Sequence, residues 1–514
     1  MKRNLLKAIG ISFLIFVVLS WIIPVGTYAG GKFTNNGIDA VGIFDLFAVP
    51  VQTLLTFTLY AVLFACIGGF YGVMKKTGAL DEWVQRASNR FSSKEKGFLI
   101  FTILLFVILS SVTGLMLPLF VLVPLFAMIL FALGYDKITV LTATVGSILV
   151  GGVVSTYGFN VTGYTKNILA LDMNSQIIAK LILFVFITAA FIFFVLKCAE
   201  IKKVKKDSAI KEAIKESEIK EEKKTKTTKT TSKTKSATRK TTAKKNTKST
   251  TKNMAVSTDI KKVKNTKGVN ILPLVVIFVL MLIVTMVGMY NWYYSFGIEA
   301  FNNIHTAIMG VKIGDFPIFE NLLSGISQLG YWGNNEFIVM MVIASILIAF
   351  IYKLSVHEYV ESFIAGVKKI MPTALYAALA SVILTVLYQA MSSGTGTIVD
   401  TMANTTMGLT KGFNVLTTGI TALYGSFFFN DLYYLLSSLQ PYIAGFGADS
   451  IGIAGLLTQS VYCIAMMIFP TSVILIAGLS YFDVSYKSWF KYIWKFALAA
   501  FLIVLLVCAI LTLV

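Results

Sequence analysis

The chain has 514 residues, of which 56% are hydrophobic and 14% are charged, and its mean hydropathy is +0.77. Soluble globular proteins have about 45–50% apolar and about 25% charged residues, so the composition excludes an ordinary soluble domain. The net charge is +20, but residues 201–267 alone hold 23 Lys and Arg against 7 Asp and Glu, a net of +16. The remaining charge, near +4, is typical of a membrane protein with basic cytoplasmic loops.

The chain contains long uncharged stretches, for example at residues 11–23, 99–109 and 498–514. A bilayer span needs roughly 20 mostly apolar residues, so we predict an all-α polytopic membrane protein with about 10–13 membrane segments. The run after Met1 has no clear cleavage site and is interpreted as the first span rather than a signal peptide. The spans are predicted near residues 5–24, 53–74, 98–116, 118–134, 139–156, 176–198, 270–290, 337–353, 372–390, 398–410, 413–430, 451–468 and 490–513. Amphipathic pieces at 356–371 and 482–494 are predicted to lie along the membrane surface.

A polar segment divides the chain into a first transmembrane repeat, residues 1–200, and a second, residues 269–514. The linker between them, residues 201–268, is rich in Lys, Thr and Ser and is predicted to be disordered. Positive charge favours the cytoplasmic side, so the N-terminus and the linker are predicted to face the cytoplasm of a bacterium, across its inner membrane. The linker is interpreted as a solvated spacer. Contact with anionic lipid is the alternative, and no specific nucleic-acid partner is predicted.

Both halves contain apolar pieces that are interrupted by Gly, Ser, Thr, Asn or Pro. Such interruptions at matching places indicate a transporter built from inverted-topology repeats with broken helices. A broken helix exposes N–H groups that attract carboxylates and carbonyls that, with hydroxyl oxygens, can hold Na⁺. Close helix packing through small residues is the alternative interpretation. The candidate substrate- or ion-binding residues at these interruptions are Ser110, Ser111, Thr113, Gly158, Asn160, Thr162, Ser392, Ser393, Gly394, Thr395, Gly396, Thr397, Pro470, Thr471 and Ser472.

Ionisable residues inside a membrane are costly and are therefore functional candidates. Asp400, three residues after the turn at 392–397, and Asp431 are candidates to bind a proton, a sodium ion or a substrate ammonium group. The alternative role for each is that of a helix cap. Lys166 and Lys411 lie near the same interruptions and are candidates to pair with a substrate carboxylate. Snorkelling to the interface is the favoured interpretation for both.

The sequence contains no recognisable catalytic motif. It has two histidines, four cysteines without metal-type spacing, and no phosphate-binding glycine loop. We therefore predict no enzyme activity, no metal centre and no cofactor, with Na⁺ or H⁺ as the coupling ion. A membrane enzyme, the less favoured alternative, would need converging acid, base or basic groups at a membrane-facing loop.

Four stretches are similar to motifs of one known family. They are residues 21–26 (WIIPVG), 68–81 (GGFYGVMKKTGALD), 393–396 (SGTG) and 469–472 (FPTS, followed by Asp483 and Trp489). In these the chain resembles the YfcC-type branch of the C4-dicarboxylate anaerobic carriers, within the ion-transporter superfamily of inverted-repeat carriers. The resemblance spans both hydrophobic halves in order.

The resemblance implies a scaffold domain and a moving transport domain with two re-entrant hairpins, often in a homodimer, that work by elevator-type alternating access. The expected function is secondary active transport, as a symporter or antiporter, of a small carboxylate-bearing metabolite such as a C4-dicarboxylate. An amino-acid carrier or antiporter for arginine or ornithine is the alternative, because Asp400 is acidic and no arginine lies near the turns.

Overall fold

The computed structural model describes residues 2–199, 268–323, 325–392, 396–410 and 412–513. The predicted linker lies outside the described residues except for Gly268. The candidate residues Ser393, Gly394 and Thr395, as well as Lys411, also lie outside them.

The described chain is mostly helical. The helices before the linker are α1 (Lys2–Ile22), α2 (Asp45–Thr56), α3 (Thr58–Lys76), α4 (Ala79–Phe91), α5 (Glu95–Thr113), α6 (Val123–Ala132, preceded by a 3-10 turn at Pro118–Leu122), α7 (Lys137–Leu141), α8 (Ser147–Val153), α9 (Tyr164–Leu169) and α10 (Ile177–Ala199). Two π-helical segments, Thr142–Gly146 and Phe159–Gly163, join α7 to α8 and precede α9.

The helices after the linker begin with α11. They are α11 (Leu272–Met289), α12 (Trp292–Phe296), α13 (Ala300–Met309), α14 (Ile318–Leu322), α15 (Asn334–Ile351), α16 (Val356–Leu379), α17 (Val382–Ser392), α18 (Ile398–Met407), α19 (Val415–Phe428), α20 (Leu432–Ile443), α21 (Ala448–Met466), α22 (Val473–Phe482) and α23 (Tyr486–Leu511).

Eight of the described helices are long and apolar enough to cross a membrane, namely α1, α3, α5, α10, α11, α15, α21 and α23. This confirms the predicted polytopic helical membrane protein. The helix α21 differs from the other seven because 83% of its span is buried inside the protein, against 33–44% for the others. The centre of the molecule is therefore built around α21.

Two short β-hairpins are the exception to the predicted all-α fold. Strands β1 (Val25–Ala29) and β2 (Lys32–Gly37) pair antiparallel, and so do β3 (Lys312–Ile313) and β4 (Phe316–Pro317). The first turn consists of Gly30 and Gly31, both with positive φ. Two such residues form the type I′ turn that matches the twist of paired strands, so the Gly-Gly pair was the available signal for this hairpin.

Helices α3 and α16 approach each other at backbone contact. A Cβ atom on Gly366 of α16 would collide with the Gly68 carbonyl oxygen of α3. One on Gly72 would likewise collide with the Ser362 carbonyl oxygen. Residues 356–371, predicted as a separate surface piece, are thus part of one longer helix that packs against α3, and Pro372 lies inside that helix without ending it.

The second predicted surface piece, residues 482–494, is not a separate element either. It comprises the end of α22, a short turn and the first turns of α23. Ser485 caps α23 by accepting a hydrogen bond from the Ser488 N–H, so the helix starts earlier than its apolar run suggests.

Lys76, one of two lysines in the last turn of α3, contacts the start of α16. Lys76 and Glu358 form an exposed ion pair of 3.4 Å. The pKa of Glu358 is lowered by hydrogen bonds from the Ser355 N–H and hydroxyl, and further by Lys76. An exposed pair of this kind adds little stability, so the glycine contacts rather than this pair hold α3 against α16.

Candidate substrate- and ion-binding site

The first-half interruption is organised by Ser111, near the end of α5. Its hydroxyl donates to the Val154 carbonyl at 2.7 Å, and its own carbonyl accepts from the Thr156 and Gly158 N–H groups at 3.1 and 3.0 Å. Ser111 is fully buried. It therefore satisfies backbone groups that the break after α8 would otherwise leave unpaired.

Two glycines bring the end of α5 against this break. Gly114 has φ of +73°, and a Cβ there would lie 2.9 Å from the Asn160 N and from the Gly158 carbonyl carbon. The Asn160 amide donates to the Gly114 carbonyl at 3.4 Å. No side chain fits at either glycine, so the two interruptions of the first half form one unit, the "first-half break".

Two hydroxyls connect the first-half break to the elements beside it. Ser110 donates to the Ile148 carbonyl at 2.7 Å and fixes α5 to α8. Thr162 donates to the Ser155 carbonyl at 3.1 Å and fixes the π-helical segment before α9. Thr113 donates to the Leu109 carbonyl at 2.6 Å and accepts from the Leu115 N–H at 3.2 Å, so both of its contacts are local to the end of α5.

The second-half break is organised by Asn430, between α19 and α20. Its amide nitrogen donates to the Thr471 carbonyl at 2.7 Å and to the Ser381 hydroxyl at 3.1 Å. Ser381 lies between α16 and α17, and Thr471 lies between α21 and α22. One side chain therefore joins three chain interruptions.

Two oxygens at the second-half break, Asn430 Oδ1 and the Thr471 hydroxyl oxygen, are buried without a hydrogen bond. Ser472, next to Thr471, accepts from the Leu475 N–H and caps α22. Pro470, on the other side of Thr471, has no backbone N–H to donate. Buried polar atoms are normally paired, so two neighbouring acceptors without donors suit a cation.

Helix α21 connects the two breaks. The Ser460 hydroxyl donates to the Val153 carbonyl at 2.9 Å, at the edge of the first-half break. The Tyr462 hydroxyl donates to the Asn430 carbonyl at 2.8 Å, in the second-half break. The polar atoms of both halves thus converge on opposite sides of one buried helix.

Asp400 belongs to a third cluster. One carboxylate oxygen accepts from the Thr397 N–H and hydroxyl at 2.9 and 2.7 Å, and the other accepts from the Ser438 hydroxyl at 2.9 Å. The Thr397 and Asp400 pair forms a capping box at the start of α18. Both carboxylate oxygens are therefore occupied by helix capping and by α20.

The turn before α18 is also held by the first hairpin. The backbones of Gly26 and Thr397 exchange two hydrogen bonds of 3.2 Å. Gly396 has φ of +75°, and a Cβ there would collide with the Gly26 carbonyl oxygen. Ser392 is the last residue of α17. This cluster is joined to β1 and α20, and among the described residues none of its hydrogen bonds reaches either break.

Replacing Asp400 with asparagine tests the two roles that the sequence left open. Because the asparagine amide has one oxygen where the carboxylate has two, one of the hydrogen bonds at this position is lost. We therefore expect a loss of about 1–3 kcal/mol of stability, measured as a lower Tm in detergent. The half-saturating Na⁺ concentration for transport should stay unchanged. Asp449→Asn, at an exposed position in the first turn of α21, is the control. An altered Na⁺ requirement at unchanged Tm would instead support ion binding by Asp400.

A family model described as DcuC, C4-dicarboxylate anaerobic carrier, matches residues 56–513. The chain belongs to the DcuC family. Both breaks lie inside the matched region, whereas the β1–β2 hairpin that holds the turn before α18 precedes it. Together with its apolar helices, the family makes this DcuC protein a multi-pass membrane transporter.

Among solved structures, the crystal structure of the Alcanivorax borkumensis YdaH transporter, which has an unusual topology, is similar to this chain. The identity is 11%, the TM-score is 0.39, and the match covers 99% of this chain and 98% of that one. No curated protein matches the chain.

The predicted site residues of this DcuC protein separate into three places. Ser110, Ser111, Gly158, Asn160 and Thr162 meet at the first-half break. Pro470, Thr471 and Ser472 lie at the second-half break, and Gly396, Thr397 and Asp400 lie in the third cluster. Binding by any of them stays a prediction. Sequence reasoning missed Ser381, Asn430 and Tyr462 as site residues. Ser381 stands alone between apolar residues, whereas Asn430 precedes Asp431 and Tyr462 follows Ser460, so a local polar signal existed for the last two.

Proposed function

We propose that this protein is a Na⁺-coupled secondary carrier that moves a C4-dicarboxylate across the bacterial cytoplasmic membrane. The N-terminus and the linker at 201–268 face the cytoplasm in this proposal, as their excess of Lys and Arg favours. The substrate binds where the two breaks face α21. A homodimer, which the family resemblance implies, stays a prediction.

The observation that carries the proposal is the convergence of both breaks on α21. Ser460 bonds the first-half break and Tyr462 bonds the second-half break, two residues apart on the most buried span. Irregular backbone at membrane depth is stable only where protein or a cavity surrounds it. In secondary transporters such broken helices from two halves form the substrate and ion sites.

Sodium is the proposed coupling ion because the free acceptors at the second-half break are neutral. Asn430 Oδ1 and the Thr471 hydroxyl oxygen are an amide and a hydroxyl oxygen. Such groups bind a hard cation through oxygen but take up no proton near neutral pH. The titratable group next to Asn430 is Asp431, which caps α20 by accepting a hydrogen bond from the Tyr433 N–H at 2.9 Å. This geometry fits the helix-cap role that the sequence left open, so sodium is the proposed coupling ion and the proton is the alternative.

Elevator-type alternation is the proposed movement. The hydrogen bonds from α21 to both breaks favour their displacement as one unit. The backbone contact between α3 and α16 favours a second unit that does not deform. Movement of one packed unit past another is the established pattern for inverted-repeat carriers.

Dicarboxylate is preferred to a cationic amino acid as substrate. The amino-acid alternative rested on Asp400 as the partner of a positive charge. Both oxygens of that carboxylate accept hydrogen bonds from Thr397 and Ser438, so they are already engaged by donors within the fold.

Counterflow in proteoliposomes tests the proposal, with labelled succinate, aspartate, arginine and ornithine, each with and without a Na⁺ gradient. We expect succinate uptake that a Na⁺ gradient raises and that arginine does not compete with. Uptake of arginine or ornithine alone would replace the dicarboxylate proposal with the amino-acid one. Succinate uptake that follows a pH gradient and ignores Na⁺ would contradict the sodium site.

A further inference from the structure

A small cavity lies beside the first-half break, between α9, α10 and α21. Its volume is about 10 Å³, which is room for one water-sized group. Thr162 contributes to its wall and also bonds Ser155 in the break. The cavity therefore adjoins the first-half break through Thr162.

Lys180, in the first turns of α10, lines this cavity and is only 5% exposed. A charged side chain inside a membrane protein is costly and marks a functional site by default. No carboxylate of the described chain lies within ion-pair distance of its ammonium group. Asp172, which also lines the cavity, is exposed, and its carboxylate accepts from the Asn174 N–H.

Gln459, in the middle of α21, faces the same cavity. It is fully buried, and neither its amide nitrogen nor its amide oxygen has a hydrogen-bond partner in the described chain. A buried amide without partners costs about 1–3 kcal/mol. A ligand that accepts hydrogen bonds from the amide nitrogen would remove part of that cost.

We propose that this cavity binds one carboxylate of the transported substrate, with Lys180 as the counter-charge and the Gln459 amide as hydrogen-bond donor. This inference rests on the proposed function and deepens it. The cavity admits one carboxylate oxygen, so the rest of the dicarboxylate extends past Thr162 toward the first-half break. A cation is disfavoured here because Lys180 supplies a buried positive charge.

Two of the three hydroxyls in the wall are already committed as donors: Thr162 donates to Ser155, and Thr165 donates to the Val161 carbonyl at 3.0 Å. The other lysine of the wall, Lys166, is half-buried and donates to the Tyr294 carbonyl at 2.8 Å. Lys180 and Gln459 are the buried N–H groups of this wall that have no acceptor within the described chain. Selectivity for a carboxylate depends on these two side chains.

The test compares succinate with succinamate, in which an amide replaces one carboxylate, in wild type and in Lys180→Met. We expect the half-saturating succinate concentration to rise at least about tenfold in the variant, equivalent to about 1.4 kcal/mol. The Lys180→Met variant should also lose the preference for succinate over succinamate. Gln459→Leu, which removes the donor and fills the space, should show a smaller rise. Lys197→Met, at an exposed position near the other end of the same helix, is the control and should transport like wild type.

A second readout separates failure of the site from failure of the proposed function. Acetate should raise the Tm of the purified wild-type protein and of Lys197→Met, but not that of Lys180→Met. If wild type moves no carboxylate while this pattern holds, the carrier proposal fails and the anion site stands. Equal stabilisation of Lys180→Met by acetate, or an unchanged preference for succinate, would overturn the site.

Discussion

Replacing Gly366 with alanine is expected to abolish stable folding, although only one methyl group is added. The new Cβ would collide with the Gly68 carbonyl oxygen and would also lie 3.1 Å from the Gly69 Cα. Overpacking against movable side chains costs about 1–3 kcal/mol. Here the obstacle is the backbone of α3, which can yield only if the two helices separate, so we expect a loss above about 3 kcal/mol.

Thermal unfolding and size-exclusion chromatography in detergent check this expectation. Gly10→Ala is the matched control, since it is also a helical glycine but no atom lies within 4 Å of its added Cβ. It should be neutral or slightly stabilising, because alanine has the higher helix propensity. A Gly366→Ala protein with the Tm of the control would show that α3 and α16 do not pack at backbone contact.

Long apolar runs were sufficient to predict most of the fold. The span predicted at 176–198 is α10 at Ile177–Ala199, and the one predicted at 270–290 is α11 at Leu272–Met289. These helices could be found because an uninterrupted apolar run leaves few alternatives in a bilayer. The beginning of α16 was misjudged because its first turns are polar, while its contact with α3 is a long-range property.

The candidate site was predictable where polar residues cluster along the chain, and not elsewhere. The runs at 110–114 and 156–163, each identified as an interruption, meet at one break. Asn430 was not distinguished, because its partners Ser381 and Thr471 are 49 and 41 residues away. Lys180 stands between apolar residues, and Gln459 lies between Thr458 and Ser460 within an otherwise mostly apolar helix. The cost of burying such groups in a membrane was the one local signal for them.

The asymmetry between the two breaks favours a division of labour. The first-half break is internally satisfied by Ser111 and lies beside Lys180, whereas the second-half break leaves Asn430 Oδ1 and the Thr471 hydroxyl oxygen without donors. Basic groups suit the anionic substrate and free oxygens suit the cation. Opposite charges bound on two sides of α21 would each lower the cost of burying the other.

Thr471→Val is expected to remove sodium coupling while preserving the fold. Valine has nearly the shape of threonine but lacks the hydroxyl oxygen, which has no hydrogen-bond partner to lose. Thermal stability should therefore stay unchanged or rise slightly. Loss of one cation ligand should raise the half-saturating Na⁺ concentration by about tenfold, or about 1.4 kcal/mol. Thr471→Ser retains the oxygen and should keep most of the wild-type affinity for Na⁺.

The matched control is Thr418→Val in α19, where another buried hydroxyl has no partner. It lies ten residues before Phe428, the last residue of α19, so about 15 Å of a helix that rises about 1.5 Å per residue separates it from the end that leads to Asn430. Its Na⁺ dependence should equal that of wild type. If Thr471→Val also keeps the wild-type dependence while Asn430→Ala only lowers the Tm, the second-half break is a packing junction. In that case the coupling ion binds elsewhere on the chain, because the free oxygens at this break would then have no role in transport.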